Sequence, residues 1–424
     1  MKTTPLSFLG MNNRANDTGL PMPDKVNPFG KFRNAVNVDF SDDGKVEFPR
    51  MGSTRVYAGT DCHSWIEYSH DYGLGLFVEG TSLKLLNADF TATTLKTVGS
   101  GPMSYATIND FIYFSNGTVS GRYKNGSVSE WGVEVPPIQP TATATSSGGM
   151  YGGDYLVAIT WLTVNGNAYE ESGTLESRRV TVADGGGIRL SAFPVPPATV
   201  DAVAVYVSAV NSSELYLYDL VVDEYPAAVS EVSIRFNHGT VPLTTQFGVK
   251  VRPGLGLTVY NGGIFWIEGE RVHYTDAHHL GLYRAYQFMH FEHDVLAVVG
   301  IPTGPLYVMT VKGVYRVDGV YGEAPPRLTK IKTYGGAKNA LFYDDNDNVA
   351  YLFTDNGFVL LTAEGLTELH ANDVATPHFD KGCLAAVEHN GSRRLIGVFQ
   401  GGTVNRLQHP DYTAAEVARG GTGL

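Results

Sequence analysis

Apolar residues in this chain come in short runs of four or five, each closed by a polar, glycine-containing turn and followed by a second strand-like run. Six segments share the pattern: YGLGLFVEGTSLKLL from Tyr72, NDFIYFSNGTVSGRY from Asn109, NGGIFWIEGERVHYT from Asn261, TGPLYVMTVKGVYRV from Thr303, NDNVAYLFTDNGFVLL from Asn346 and GSRRLIGVFQGGTVNRL from Gly391. Each predicts a β-hairpin. The registering glycines Gly80, Gly117, Gly269, Gly313, Gly357 and Gly401 are separated by 37, 152, 44, 44 and 44 positions. A repeat of about 40 to 50 residues in a strand-rich chain is the length of one four-stranded propeller blade, so the register predicts an all-β fold, a β-propeller of about six blades.

The interval of 152 positions fits one further blade period plus an insertion of roughly 110 residues. Composition changes there, beginning with the linker-like PPIQPTATATSSGG. Inside it, GDYLVAITWLTVNG sets Val157, Ile159 and Trp161 on one face of a strand, and VDAVAVYVSAV does the same with Val203, Val205 and Val207. With SRRVTV, GIRLSAF, SELYLYDLV and VSIRF this makes about seven short strands between turns, the pattern of a small β-sandwich like a fibronectin type III module.

Ahead of the first repeat, FRNAVNVDFSDDGKVEFPRMG from Phe32 places two alternating arms around the turn SDDG, which predicts another hairpin. Closing a ring requires its first and last blades to meet, and AVNVDF can supply a strand that completes the last blade and hides its edge. The expected map is an N-terminal arm over 1–31, a clasp hairpin and first blades over 32–136, the inserted sandwich over 137–245, the remaining blades over 246–412 and a polar tail over 413–424. In the clasp, Asn34, Asn37 and Asp39 can bond backbone groups and Arg50 can pair across the strands.

Composition agrees with strands and turns: 49 Gly, 24 Tyr and 20 Phe stand against 8 Met in 424 residues, and aromatic residues suit pleated surfaces while Gly supplies the positive φ of tight turns. A net charge of −12 argues against a general phosphate-binding surface, because affinity for nucleic acid comes mainly from Lys and Arg. Met1 to Gly10 has no apolar h-region and no run of eighteen apolar residues occurs, so neither a signal peptide nor a membrane span is expected and folding in the cytoplasm is. Cys62 and Cys383, at opposite ends of the chain, read as two reduced, half-buried thiols rather than as a bridge or a metal pair.

Candidate chemistry is sparse. YDDNDN, with Asp344, Asp345 and Asp347, has the alternating oxygens of half a calcium loop but lacks the following Gly and the distal Glu, and reads as a solvated turn. His278, His279, His290 and His293 cluster, yet HFEH falls in strand-like sequence, where its two histidines would point to opposite faces. No G-x-S-x-G, H-E-x-x-H, phosphate-loop or sialidase-type box occurs. The N-x-[ST] sequons at Asn116, Asn125 and Asn390 are Asn-Gly, and with that at Asn211 they read as turns. No catalytic residue, cofactor or metal is assigned.

FLGMNN from Phe8, followed by the hairpin just described, resembles the N-terminal signature of the tail nozzle or hub proteins of short-tailed bacteriophages, the packaged-DNA stabilisation family. Its second motif is met by Ala35, Asn37, Val38, Asp39, Gly44, Arg50 and Gly52, with one residue more between Gly44 and Arg50 than the family pattern has. The resemblance implies a virion protein, folded in the host bacterial cytoplasm and assembled as a homo-oligomeric ring, a hexamer, below the portal and the adaptor or head-to-tail connector. It also implies contact with tail fibres, spikes or a needle, and passage of double-stranded DNA through the lumen. An acidic lumen would repel phosphate within a Debye length of about 8 Å at physiological salt, letting DNA slide. Two other classes stay open on the residues: a carbohydrate-binding or carbohydrate-cleaving propeller, and a receptor-binding adhesin acting through the sandwich.

Overall fold

The computed structural model describes residues 7–11, 29–32, 38–40, 47–49, 55–67, 74–165, 168–221, 231–235, 239–277, 279–322, 324–369, 378–389 and 392–401. Among them there is no helix; the fold is all-β and almost entirely antiparallel. Two compact units divide the chain: Thr60–Glu268 with Val272–Met289, and Met1–Gly59 with Gly269–Arg271 and His290–Leu424.

The first of these units is built on four-stranded meanders, in which each strand pairs with its successor. The first meander joins Cys62–Glu67, Gly75–Glu79, Ser82–Leu86 and Ala92–Thr97, and the second joins Ser104–Ile108, Phe111–Ser115, Ser120–Lys124 and Ser127–Ser129. The third, after a long interruption, joins Leu255–Tyr260, Gly263–Glu268, Arg271–Tyr274 and Phe288–His290. Each second strand is apolar on both faces, as with Leu76, Phe77 and Val78, or Ile112, Tyr113 and Phe114, or Ile264, Phe265 and Trp266, so the sheets stack face to face. Leu76, Val78, Leu83 and Leu85 of the first meander share one core with Ile112, Phe114 and Tyr123 of the second. The other face of the second meander, with Ala106, Tyr113 and the adjoining Trp131, shares a core with Leu257, Ile264 and Trp266 of the third.

The interruption is a sandwich. One sheet has the order Thr141–Thr145, Gly187–Ser191, Glu231–Ile234; the other has the order Ala168–Glu171, Gly153–Asn165, Ala202–Ser208, Leu215–Val221, with Arg178–Val182 also paired to Gly153–Asn165. Ile188, Leu190 and Ile234 of the first sheet meet Val157, Ile159, Trp161, Val203, Val205 and Val207 of the second in one core, the two inward triplets that the alternation predicts. Thr141–Thr145 is a strand where the sequence reads as linker: its single inward contribution to the core is Ala142, too little for an apolar alternation to register.

The second unit carries a fourth meander, Val295–Gly300, Leu306–Thr310, Gly313–Asp318 and Arg327–Lys332, and a fifth, Gly336–Asp344, Val349–Thr354, Gly357–Leu361 and Leu366–Glu368. These again share a core, in which Val299, Tyr307 and Met309 meet Leu352, Val359 and Leu361. The sixth segment differs from the others. Its described part is a hairpin of Lys381–His389 and Ser392–Gln400 that joins the fifth sheet through a parallel contact at Lys338 and Lys381, so that sheet has six strands. An aromatic cluster fastens it: the Phe399 ring lies 4.2 Å from that of Phe353 and 4.7 Å from that of Phe379. Gly382 and Gly397 leave room for that ring, since a Cβ on either would lie 2.6 Å from a Phe399 ring carbon.

Within the same unit, Ser7–Met11 pairs in parallel with Phe29–Phe32, and Val38–Phe40 pairs antiparallel with Glu47–Pro49. The hairpin expected from AVNVDF and KVEFPRM therefore forms, with Asp39 opposite Phe48. Asn34, Asn37, Gly44, Arg50 and Gly52 lie outside the described residues, as do the arm from 12 to 28 and the tail from 402 onward.

Candidate functional site

The register glycines share one place in the fold. Gly80, Gly117, Gly269 and Gly357 each stand at the turn between the second and third strands of a meander, with φ of 58°, 86°, 59° and 98°. Gly401, at 71°, follows the second strand of the terminal hairpin. Gly313 holds the equivalent turn for a different reason: a Cβ there would lie 2.5 Å from Lys330 Cε and 3.1 Å from the Lys332 carbonyl oxygen. Left-handed backbone favours glycine at five of these positions, and the nearby Lys332 carbonyl favours it at the sixth.

Asp344 is buried and accepts the Asn346 N–H at 3.1 Å through Oδ1, while Asp345 and Asp347 are exposed in the turn. His279 Nε2 lies 3.0 Å from Thr244 Oγ1, His290 ends the third meander, and His278 is outside the described residues. Among the described residues no group of three His, Cys, Asp or Glu side chains is placed to hold a metal ion. Cys62 and Cys383 are exposed rather than half-buried and form no disulfide. Asn116 is buried: its Nδ2 donates to the Val98 carbonyl at 2.6 Å and its Oδ1 accepts the Val119 N–H at 2.8 Å. Trp131, Trp161 and Trp266 are core residues, and Trp65 is exposed.

Two features outside those candidates concentrate charge, both within the unit that holds the sandwich. The first is an open cleft of about 410 Å³ near the second and third meanders. Lys96 and Lys250 reach Glu130 at 3.1 and 3.5 Å, Lys250 reaches Glu134 at 3.0 Å, and Arg252 on the rim faces Glu268 at 3.7 Å. Burial alone would raise the Glu130 carboxyl, but the hydrogen bonds and charges of Lys96 and Lys250 outweigh it and hold it below the usual range. The cations and carboxylates nearly balance, so the cleft has no strong preference for an anion or a cation.

The second feature joins the sandwich to the meanders. Glu170, on the Ala168–Glu171 strand, places Oε2 2.6 Å from Nη2 of Arg122 on the second meander, with Arg122 only 7% and Glu170 17% exposed. Arg122 Nε donates to Ser129 Oγ at 3.0 Å, and its guanidinium stands 4.9 Å from the centre of the Phe111 ring. The Gly132 N–H also favours the ionised form of this carboxylate. Burial raises the Glu170 carboxyl above its ordinary value even though Arg122 and the Gly132 N–H pull it down. The recess is walled by glycine: a Cβ on Gly281 would lie 2.2 Å from Glu170 Oε1, and one on Gly132 would lie 2.3 Å from the Gly281 carbonyl oxygen. Nothing in the local pattern around Arg122 or Glu170 marks them, because their partners come from another element.

No protein-family model matches the chain, and no curated protein matches it. Among solved structures it is similar to apo AztD from Citrobacter koseri, at 12% identity over 81% of this chain and 90% of that one, with a TM-score of 0.26. It is also similar to the extracellular domain of the hybrid two-component system BT3049 from B. thetaiotaomicron, at 11% identity over 87% of this chain and 58% of that one, with a TM-score of 0.25.

Proposed function

We propose that the chain is a structural component of a short-tailed bacteriophage tail, a nozzle or hub that assembles as a homo-oligomeric ring below the portal and adaptor and through which genomic DNA is retained and ejected. The observation that carries the reading is the signature over residues 8–52, whose second half contains a hairpin with Asp39 opposite Phe48. In this reading the meanders are the blades of a propeller. Its support is serial: the first and second sheets share a core, as do the second and third and the fourth and fifth. The first strands of the second and third meanders are neighbours, and so are those of the fourth and fifth. The terminal hairpin would begin a sixth blade, with its first strand parallel to that of the fifth, and Val38–Phe40 would complete it as the clasp. The inserted sandwich, with the two-sheet form of a fibronectin type III module, would face fibres, spikes or a needle.

Class averages of the purified protein in negative stain test this directly. Closed rings are expected, and rings that stack on the cognate adaptor. Deleting residues 1–27 should abolish the rings while leaving the circular dichroism of the fold. A monomer that binds or hydrolyses glycans, or one that adheres to host cells through the isolated sandwich, would overturn the reading.

A further inference from the structure

We infer that Asn125 and Asn261 are sites of spontaneous, non-enzymatic modification: each side-chain amide closes onto the following glycine and hydrolyses to aspartate or isoaspartate, while the contacts of Asn116 and Asn356 hold the same dipeptide out of the reaction. This does not depend on the tail reading. Four Asn-Gly pairs lie wholly among the described residues, at Asn116, Asn125, Asn261 and Asn356, and their shared dipeptide does not rank them. In the reaction the backbone nitrogen of the glycine attacks Cγ of the asparagine. A C–N bond forms and closes a five-membered succinimide. The glycine amide proton passes to solvent, and Nδ2 takes up a proton and departs as ammonia. Water then opens the ring at either carbonyl, so nothing is oxidised or reduced. Glycine exposes its nitrogen to this attack because it has no side chain to shield it.

The structure divides the four. Asn125 and Asn261 are exposed, as are Gly126 and Gly262. Each asparagine opens a two-residue hairpin turn, with φ of 47° followed by a glycine at 85° or 78°, across which Lys124 faces Ser127 and Tyr260 faces Gly263. A Cβ on Gly126 would meet nothing within 4 Å, and one on Gly262 nothing closer than 3.7 Å. Local opening of such a turn gives the peptide room to rotate toward the side chain. Asn116, by contrast, is buried. Its leaving nitrogen donates to the Val98 carbonyl at 2.6 Å, and its Oδ1 accepts the Thr118 and Val119 N–H groups at 3.1 and 2.8 Å. Asn356 Nδ2 reaches Glu368 Oε2 at 3.5 Å, its N–H meets Thr354 Oγ1 at 3.2 Å, and the attacking nitrogen belongs to buried Gly357. Both must give up these contacts before nitrogen and Cγ can meet. Conversion to aspartate adds a charge and keeps the backbone. Conversion to isoaspartate routes the main chain through Cβ, which a two-residue turn does not accommodate.

The test is peptide mapping by mass spectrometry of the full-length chain aged at mildly alkaline pH, once folded and once unfolded in guanidinium chloride. Unfolded, all four asparagines should convert at similar rates. Folded, Asn125 and Asn261 should convert, and Asn116 and Asn356 should do so at least about tenfold more slowly, because their hydrogen bonds must break first. Three results would overturn the inference: conversion at Asn116 or Asn356 in the folded chain as fast as at Asn125, a folded chain that spares Asn125 or Asn261 where the unfolded one converts, or the folded ranking reproduced in the unfolded chain.

Discussion

Ser115 and Gly254 lie 139 positions apart and are joined by two hydrogen bonds: Ser115 Oγ donates to the Gly254 carbonyl at 2.7 Å and accepts the Gly254 N–H at 2.9 Å. One hydroxyl thus seals the second meander to the approach of the third, across the whole insertion. Ser115→Ala leaves a buried N–H and a buried carbonyl unpaired, and should destabilise the unit by about 1–3 kcal/mol. Urea unfolding should show an earlier midpoint with an unchanged slope.

Burial separates ion pairs that look alike on paper. Arg122→Met removes one partner of a pair that is almost wholly enclosed and leaves the Glu170 carboxylate without its cation, a loss of about 3–5 kcal/mol by analogy with other buried pairs. Lys250→Met breaks contacts to Glu130 and Glu134, which are 48% and 57% exposed, and should cost under about 1 kcal/mol, less at high salt. Comparable losses in thermal unfolding would contradict the ranking.

Glu171 gives the sandwich a pH dependence. Its carboxyl is raised above the usual value by burial, against hydrogen bonds from the Thr160 and Tyr206 hydroxyls, the latter at 2.6 Å. The folded chain therefore holds this proton to higher pH than the unfolded chain does. Its contribution is most favourable below the unfolded value of 4.5 and declines as pH rises through the folded value. Glu171→Gln should flatten that decline. The difference in urea midpoint between parent and variant, measured upward from pH 4.5, should grow in favour of the variant.

The turn glycines should answer to different substitutions. At Gly269 the nearest atom to an added Cβ is Asp294 Oδ1 at 3.9 Å, so Gly269→Ala should cost about 1–2 kcal/mol from left-handed backbone alone, and Gly269→Asn less. At Gly313 the obstacle is the Lys332 carbonyl oxygen, 3.1 Å from an added Cβ, so Asn should offer no rescue relative to Ala. Melting temperatures of the four variants decide it.

The glycine register was legible because it is local: each hairpin turn needs positive φ or space at the same step, and Gly269, Gly313 and Gly357 do fall at equivalent turns. The sandwich core was legible from alternation, as Val157, Ile159 and Trp161 show. What stayed hidden depends on distant partners. Thr141–Thr145 becomes a strand because Gly187–Ser191 offers it an edge, and Thr-Ala alternation carries little apolar signal. The exposure of Cys62 and Cys383 depends on which face of each strand the sheet leaves open. Arg122 and Glu170 meet only once the sandwich is seated.

The seam beneath the insertion has a consequence for how such a chain can diversify. The second and third meanders close on each other through Trp131, Trp266 and Ser115, while the sandwich enters and leaves between Val133 and Gly248. That stretch is a cassette. A different module grafted there would leave the sheets beneath it intact, provided that it presented one carboxylate to Arg122.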